Sequence, residues 1–330
     1  MKHKQKTTAP SSPSPRLGKK ELMDMAASTL KAIEEGAYEV DGTNVNLTEA
    51  VKYTNEHTKF YSADSNLAAW LAGGEGEEKA QPSEGLEHAN SVQMSIVECS
   101  VLVGARTLKN ELQALEGVSE SDKRVGVLNF ASAKNPGGGF KTGAQAQEES
   151  IARCSTIYPS LMTETAQRFY QSHKRDLKKG YYSHAMVYSP QTLLIRSDAG
   201  EWLPPVEADM LTSCAVNAGV VRRYLREAGS TDESDLDEAM KERMARVLYL
   251  FERHGVRNLV LGSFGTGVFR NRVELVAGIW KELLEGRFKH SFDRVVFAIL
   301  GSKTVQTFED VFCLIDTHPY QQPNRWAGRL

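Results

Sequence analysis

A chain of 330 residues with 41% hydrophobic and 25% charged side chains is long enough to bury one sizeable core or two smaller ones. A formal net charge of -2 supplies no global basic field that would draw it to nucleic acid or an anionic membrane, so a polyanionic ligand has to be held by a local patch. No apolar run approaches the roughly 18–20 residues of a membrane-crossing helix, and the N-terminus lacks the hydrophobic stretch of a secretion signal; a cytoplasmic or nuclear setting is expected.

The first eighteen residues are basic and rich in Pro, Ser and Thr, a composition that predicts a disordered tail. Leu22, Ala26, Thr29, Leu30 and Ile33 keep helical spacing over Lys19 to Glu35, with Gly36 as a stop. Shorter helices are expected around Leu47 to Glu56 and Ser65 to Leu71, and Gly73 to Gly85 reads as an acidic surface loop. Residues 19–90 are thus expected to form a helical accessory region and 91–330 the main domain. A strand over Val92 to Ile96, a helix over Leu102 to Leu115 and a strand over Arg124 to Leu128 come next.

That strand leads into Gly137-Gly138-Gly139, then Gln147-Glu148-Glu149 at the start of a helix carrying Ile151, Cys154 and Ile157. Glycines lack Cβ, can take positive φ, and can present successive N–H groups to an anion such as a diphosphate. Carboxylates in a first helical turn are favoured in their ionised form by the helix dipole, whereas burial or a like charge beside them opposes ionisation. An anion cradle beside a tunable acid suits cleavage of something attached to a diphosphate. Lys141-Thr142 is not the end of a P-loop, because Phe140 and Asn135 stand where that motif needs glycine.

Lys174 to Tyr182 is basic and reads as a solvated surface loop or as one lying near a polymeric ligand. Ala185 to Tyr188 and Leu193 to Arg196 are expected as two strands separated by Ser189-Pro190, with Asp209 to Cys214 as a third. Ser234 or Asp235 can cap a helix burying Met240, Met244, Val247, Leu248 and Phe251, closed by Gly255. Strand Leu259 to Leu261 delivers a second glycine loop, Gly262 to Asn271, and Asn271 can cap a helix burying Val276, Ile279, Trp280 and Leu283. It is not a dinucleotide-binding fingerprint, since Arg270 takes the place of the last glycine. A strand over Val295 to Leu300 completes the set, and His318 to Leu330 is irregular. Strands alternating with helices predict an α/β fold with ligand loops at strand C-terminal ends. Cys99, Cys154, Cys214 and Cys313 are widely spaced without a C-x-x-C, which points to a reducing compartment and no structural zinc; Cys154 reads as a small buried apolar residue.

The run LNFASAKNPGGGFKTGAQAQEESIARCSTIYPSL, with GGG followed by QEE, resembles the signature of microbial-type poly(ADP-ribose) glycohydrolases. Ordinary ADP-ribose-binding macrodomains share the glycine loop without the paired glutamates. The second loop resembles that family's Gly-Ala-Trp-Gly-Cys-Gly-Val/Ala-Phe, with Ser263-Phe264 and Thr266 as departures; Ala215-Val216-Asn217 stands where the family has Ala-Pro-Asn, and Asn271-Arg272-Val273 where it has a proline-containing segment. The resemblance implies a macrodomain-like three-layer α/β/α fold with a mixed central sheet and an N-terminal helical extension. It also implies hydrolysis of ribose–ribose O-glycosidic bonds with Glu149 as general acid/base and Glu148 holding ribose hydroxyls. Substrate contacts are implied for Ser132, Asn135, Gly137, Gly138, Gly139, Gln147, Gly265, Thr266, Gly267, Val268 and Phe269, the last against the sugar beside the scissile bond. No cofactor and no metal are expected. The expected partners are poly(ADP-ribose), ADP-ribose and ADP-ribosylated proteins, with neither membrane nor nucleic acid, in reversal of ADP-ribosylation such as accompanies DNA damage. Two other readings are a macrodomain that binds ADP-ribose without cutting it and a hydrolase of mono-ADP-ribosyl groups on proteins; a phosphatase on ADP-ribose 1″-phosphate is a weaker third.

Overall fold

The computed structural model describes residues 17–72, 91–175 and 179–313. Nearly all of the expected tail, the acidic loop at 73–85, part of the basic 174–182 segment and the irregular 318–330 lie outside them. In chain order the elements are α1 (Lys19–Glu35), β1 (Ala37–Val40), β2 (Thr43–Asn46), α2 (Thr48–His57), β3 (Lys59–Tyr61), β4 (Gln93–Glu98), α3 (Val101–Gln113) and β5 (Val125–Phe130). They continue with α4 (Gln147–Cys154), α5 (Ile157–Met162), α6 (Glu164–Arg175), β6 (Met186–Arg196), β7 (Trp202–Ser213), α7 (Ala218–Glu227), α8 (Ser234–Arg253), β8 (Asn258–Leu261), α9 (Val273–Glu285), β9 (Arg294–Ile299) and α10 (Ser302–Cys313).

Seven strands form one mixed sheet in the order β3-β6-β7-β5-β8-β9-β4. The five from β7 to β4 run parallel, while β6 is antiparallel to both β7 and β3. Side chains alternate across the sheet, as the two-residue strand period requires. Leu128, Leu211, Leu259 and Leu261 join Met244, Leu248, Phe251, Trp280 and Phe308 from α8, α9 and α10 on one face. Val127, Met210 and Val260 join Leu102, Ile151, Leu161 and Phe169 from α3 to α6 on the other. The result is helices on both faces of a central sheet.

Four expectations change. The region expected to be helical also supplies the β1–β2 hairpin and β3, an edge strand of the main sheet, and Asn66–Ala72 is a 3-10 segment. The two strands expected around Ser189-Pro190 are one strand, β6. Proline has no N–H to give the ladder, and the register shift between Ser189 and Thr192 absorbs that gap, with Gln191 at φ 51° donating its N–H to Asp209 instead. Neither Ser234 nor Asp235 caps α8; Asp232 Oδ1 accepts from the Ser234 N–H. Asn271 does not cap α9, and its amide is spent elsewhere. No helix among the described residues is long and apolar enough to cross a membrane.

Candidate active site

The C-terminal ends of the parallel strands open into a cleft of about 1000 Å³. Cys99 and Ser100 after β4, Phe130 of β5 and Ala131 after it, Ala215 after β7, Ser263 after β8 and Leu300 after β9 all line it. This is where an open α/β sheet places its ligand loops.

Helix α4 is fastened to the first loop by its own first three side chains. Gln147 Oε1 accepts from the Phe130 N–H (2.8 Å) and its Nε2 donates to the Leu128 carbonyl (2.7 Å), so the carboxamide expected to touch substrate is committed to β5. Glu148 Oε2 accepts from the Ser132 N–H at 2.6 Å, and Glu149 Oε1 from the Gly139 N–H at 2.9 Å. Both carboxylates are buried, and the second oxygen of each finds no partner among the described residues. Each is therefore half-anchored, with one oxygen left for a ligand.

Burial pushes the Glu148 carboxyl well above the ordinary carboxylate range; the Glu149 charge adds to this, and N–H groups of Ser132 and Gly137 oppose it. Cys214 and Tyr170 are also held protonated by burial, the thiol at about 12. One turn beyond Glu149, buried Arg153 donates to the Ala144 carbonyl (2.5 Å) and Ser150 Oγ (3.4 Å), while its own carbonyl accepts from Thr29 Oγ1 of α1 (2.6 Å). It brings a positive charge i+4 from Glu149 and ties α4 to α1. Cys154 is buried with its thiol pushed up to about 12, consistent with a packing role.

The three glycines do not present free amides. The Gly138 N–H donates to Asn135 (2.9 Å), the Gly139 N–H to Glu149, and the Gly137 N–H faces Glu148. Gly137 also lies outside the cleft wall, buried where a Cβ would press on Phe140 and Ala152. Gly138 has φ 59°, and a Cβ there would land on the Glu149 carboxylate. The anion held by this nest is the protein's own acid pair.

The second loop differs. Asn271 Nδ2 donates to the Val216 and Gly265 carbonyls (2.8 and 3.0 Å) and braces the loop from beneath. The N–H groups of Gly267, Val268 and Phe269 donate to no protein acceptor among the described residues. Gly265, Thr266, Gly267, Val268 and Phe269 line the cleft, as do Ser132, Asn135, Gly138, Gly139, Gln147, Glu148 and Glu149. Sequence reasoning missed Tyr182, whose ring lies 5.9 Å from that of Phe269, and the Ser100–Asp198 pair, joined at 2.5 Å on the opposite wall. Neither has a local pattern to betray it; Arg153 could have been found from its i+4 distance to Glu149.

A mixed seven-stranded sheet with two glycine loops at its C-terminal edge and a buried glutamate pair between them defines a macrodomain-like hydrolase architecture. The family model for the catalytic domain of microbial-type PARG matches residues 26–197, and this chain belongs to that family. It is similar to the crystal structure of poly(ADP-ribose) glycohydrolase from Thermomonospora curvata, at 33% identity and a TM-score of 0.74 over 88% of this chain and 99% of that one. The Thermomonospora curvata structure bound to the inhibitor ADP-HPD gives 33% identity and a TM-score of 0.72 over 87% and 98%. The poly(ADP-ribose) glycohydrolase of Deinococcus radiodurans in complex with ADP-ribose gives 29% identity and a TM-score of 0.65 over 83% and 98%. No curated protein matches the chain.

Proposed function

We propose that the chain is a poly(ADP-ribose) glycohydrolase that cuts the ribose–ribose O-glycosidic bond and releases ADP-ribose. The observation that carries this reading is the pair Glu148 and Glu149, each buried at the cleft wall with one oxygen anchored to a loop amide and the other free. Family membership supports the same activity.

In this reading the diphosphate sits on the free amides of Gly267 to Phe269, and Phe269 packs on the sugar beside the scissile bond. Glu149 protonates the departing ribose oxygen as the bond stretches toward an oxocarbenium-like centre, which the nearby diphosphate stabilises. As a carboxylate it then takes a proton from water, which attacks the anomeric carbon. Glu148 holds ribose hydroxyls and positions the sugar. Adjacent positions on a helix diverge by about 100°, so the two do not face each other across the bond as in most glycosidases.

The raised proton affinity of Glu148 favours a second reading, with that residue as the donor. Labelled polymer incubated with each variant and separated by size distinguishes them. Glu149→Gln is expected to lose about 10²- to 10⁴-fold in turnover while retaining ADP-ribose binding. Retained cleavage in Glu149→Gln with loss in Glu148→Gln would reverse the roles; retained cleavage in both would end the hydrolase reading. Binding without cleavage by the unmodified protein would leave a binding module, and turnover of mono-ADP-ribosylated protein alone the other hydrolase. An intracellular setting and a link to DNA damage belong to this proposal, the first supported by four free cysteines. So does the extent of the functional unit, which we take to begin at α1, because α1 braces α4 and β3 edges the sheet.

A further inference from the structure

Five described residues other than glycine have left-handed backbone, and three of them, Lys179, Tyr182 and Arg270 at φ 49°, 56° and 59°, belong to the two segments that bring Tyr182 and Phe269 to the cleft. Glycine would take these conformations without strain, so side chains kept there point to a use for the side chain. Arg270 directly follows Phe269. Its carbonyl accepts from Arg222 Nη1 at 2.6 Å, its N–H donates to Gly267 at 3.1 Å, and the Phe269 carbonyl accepts from the Gly219 N–H at 3.1 Å. The loop is thereby pinned to the start of α7, with the Arg270 stem beside Gly219: a Cβ at 219 would sit 3.4 Å from Arg270 Cδ. Arg223 lies one helical turn beyond Gly219 on the same face and is exposed. The Arg223 guanidinium and the Lys179 ammonium lie 5.4 and 5.1 Å from the centre of the Tyr224 ring. The 180–182 segment is held in turn by the Asn217 N–H donating to Gly180 (2.8 Å).

Of the acids near this face, Asp232 accepts from the Ser234 N–H at 2.9 Å and Asp235 lies near Tyr181. Glu233 pairs with Arg222 at 2.8 Å and Asp237 with Arg272 at 2.6 Å. Among the described residues Lys179, Arg223 and Arg270 have no acidic partner. On a chain with a net charge of -2, this is a local basic ridge continuous with the Phe269–Tyr182 wall.

We propose that Lys179, Arg223 and Arg270 hold the diphosphate of the polymer unit beyond the scissile bond, on the leaving-group side of Phe269. This rests on the glycohydrolase reading and deepens it: the cleft holds the ADP-ribose that is released, and the ridge holds the chain it is released from. The ridge then favours polymer over single units without touching the reacting atoms.

The test compares wild type, Arg223→Ala/Arg270→Gly and Arg223→Lys/Arg270→Lys by initial rates of ADP-ribose release from long polymer at low and high salt. ADP-ribose affinity is measured alongside by calorimetry, and melting temperature as a folding control. The neutral double variant is expected to raise KM about tenfold at low salt, to leave kcat within about twofold and to lose much of the salt dependence of KM. Its ADP-ribose affinity and melting temperature are expected to hold, since glycine relieves the strain at 270, and the lysine pair should recover most of the loss. Unchanged KM and salt dependence in the folded neutral variant would overturn the proposal, as would a parallel fall in ADP-ribose affinity. Wild type that releases no ADP-ribose would remove the cleavage reading and the ridge's role with it.

Discussion

The two glycine loops have similar composition and opposite internal economies. In the first, the amides of Gly137, Gly138 and Gly139 are turned inward onto Glu148, Asn135 and Glu149, and the space a side chain would need at 138 is taken by the Glu149 carboxylate. In the second, a neutral amide, Asn271, braces the backbone from below, and the amides of 267–269 stay open. A glycine-rich loop after a strand is therefore not one device. The first spends its donors on two glutamates and its own backbone; the second leaves its donors open among the described residues.

The contrast can be broken most forcefully at Gly138. Gly138→Ala places a Cβ on the Glu149 carboxylate in left-handed backbone, and turnover is expected to fall by about 10²-fold or more, close to the loss in Glu149→Gln. Wild-type rates of polymer cleavage would show that the glycine is not there to seat the acid.

A smaller effect sharpens the difference between charged and neutral bracing. Because the folded Glu148 binds its proton more tightly than the unfolded chain does, the folded state carries the extra proton above the ordinary Glu range, and stability falls as pH rises from there toward the raised value. Glu148→Gln should thus melt near wild type below about pH 4 and increasingly above it toward neutral pH. Asn271→Ala should instead lose about 1–3 kcal/mol at every pH, since no titration is involved. Thermal melts from pH 4 to 8 would contradict the distinction if both variants shifted by a constant amount.

The smallest change is expected at Gly267. A Cβ there meets no protein atom within 4 Å, so Gly267→Ala should alter stability by less than about 0.5 kcal/mol yet weaken ADP-ribose a few-fold by crowding the guest. Unaltered affinity by calorimetry would move the diphosphate away from this loop.

What the sequence carried locally it carried well. Helix α1 was legible to its ends, since an apolar stripe runs to a glycine that takes φ 73°, and the paired glutamates stood out because they follow a glycine triplet at short range. Readings failed where a partner lay far along the chain. Pro190 looks like a break until β7 supplies a ladder that can bulge around it, and β3, three residues long, has no pattern until it meets β6. Tyr182 and Asp198 reach the cleft only through the fold. The amides of the glycine triplet, expected to be open to an anion, are taken within the chain, because the carboxylate that meets Gly139 arrives from a helix ten residues away.

The edge strand β4 also fixes an order of events during synthesis. Among the described residues its only partner in the sheet is β9, with Gln93 opposite Arg294, so it emerges early and must wait for nearly the whole described chain before it can pair. Contacts so distant in sequence close slowly. Cys99, Ser100 and Val101, which follow β4, form one wall of the cleft, whereas the glutamate wall is tied by partners within about twenty residues. A growing chain can therefore set its acid pair long before it has a pocket, and remains without one until β9 has left the ribosome.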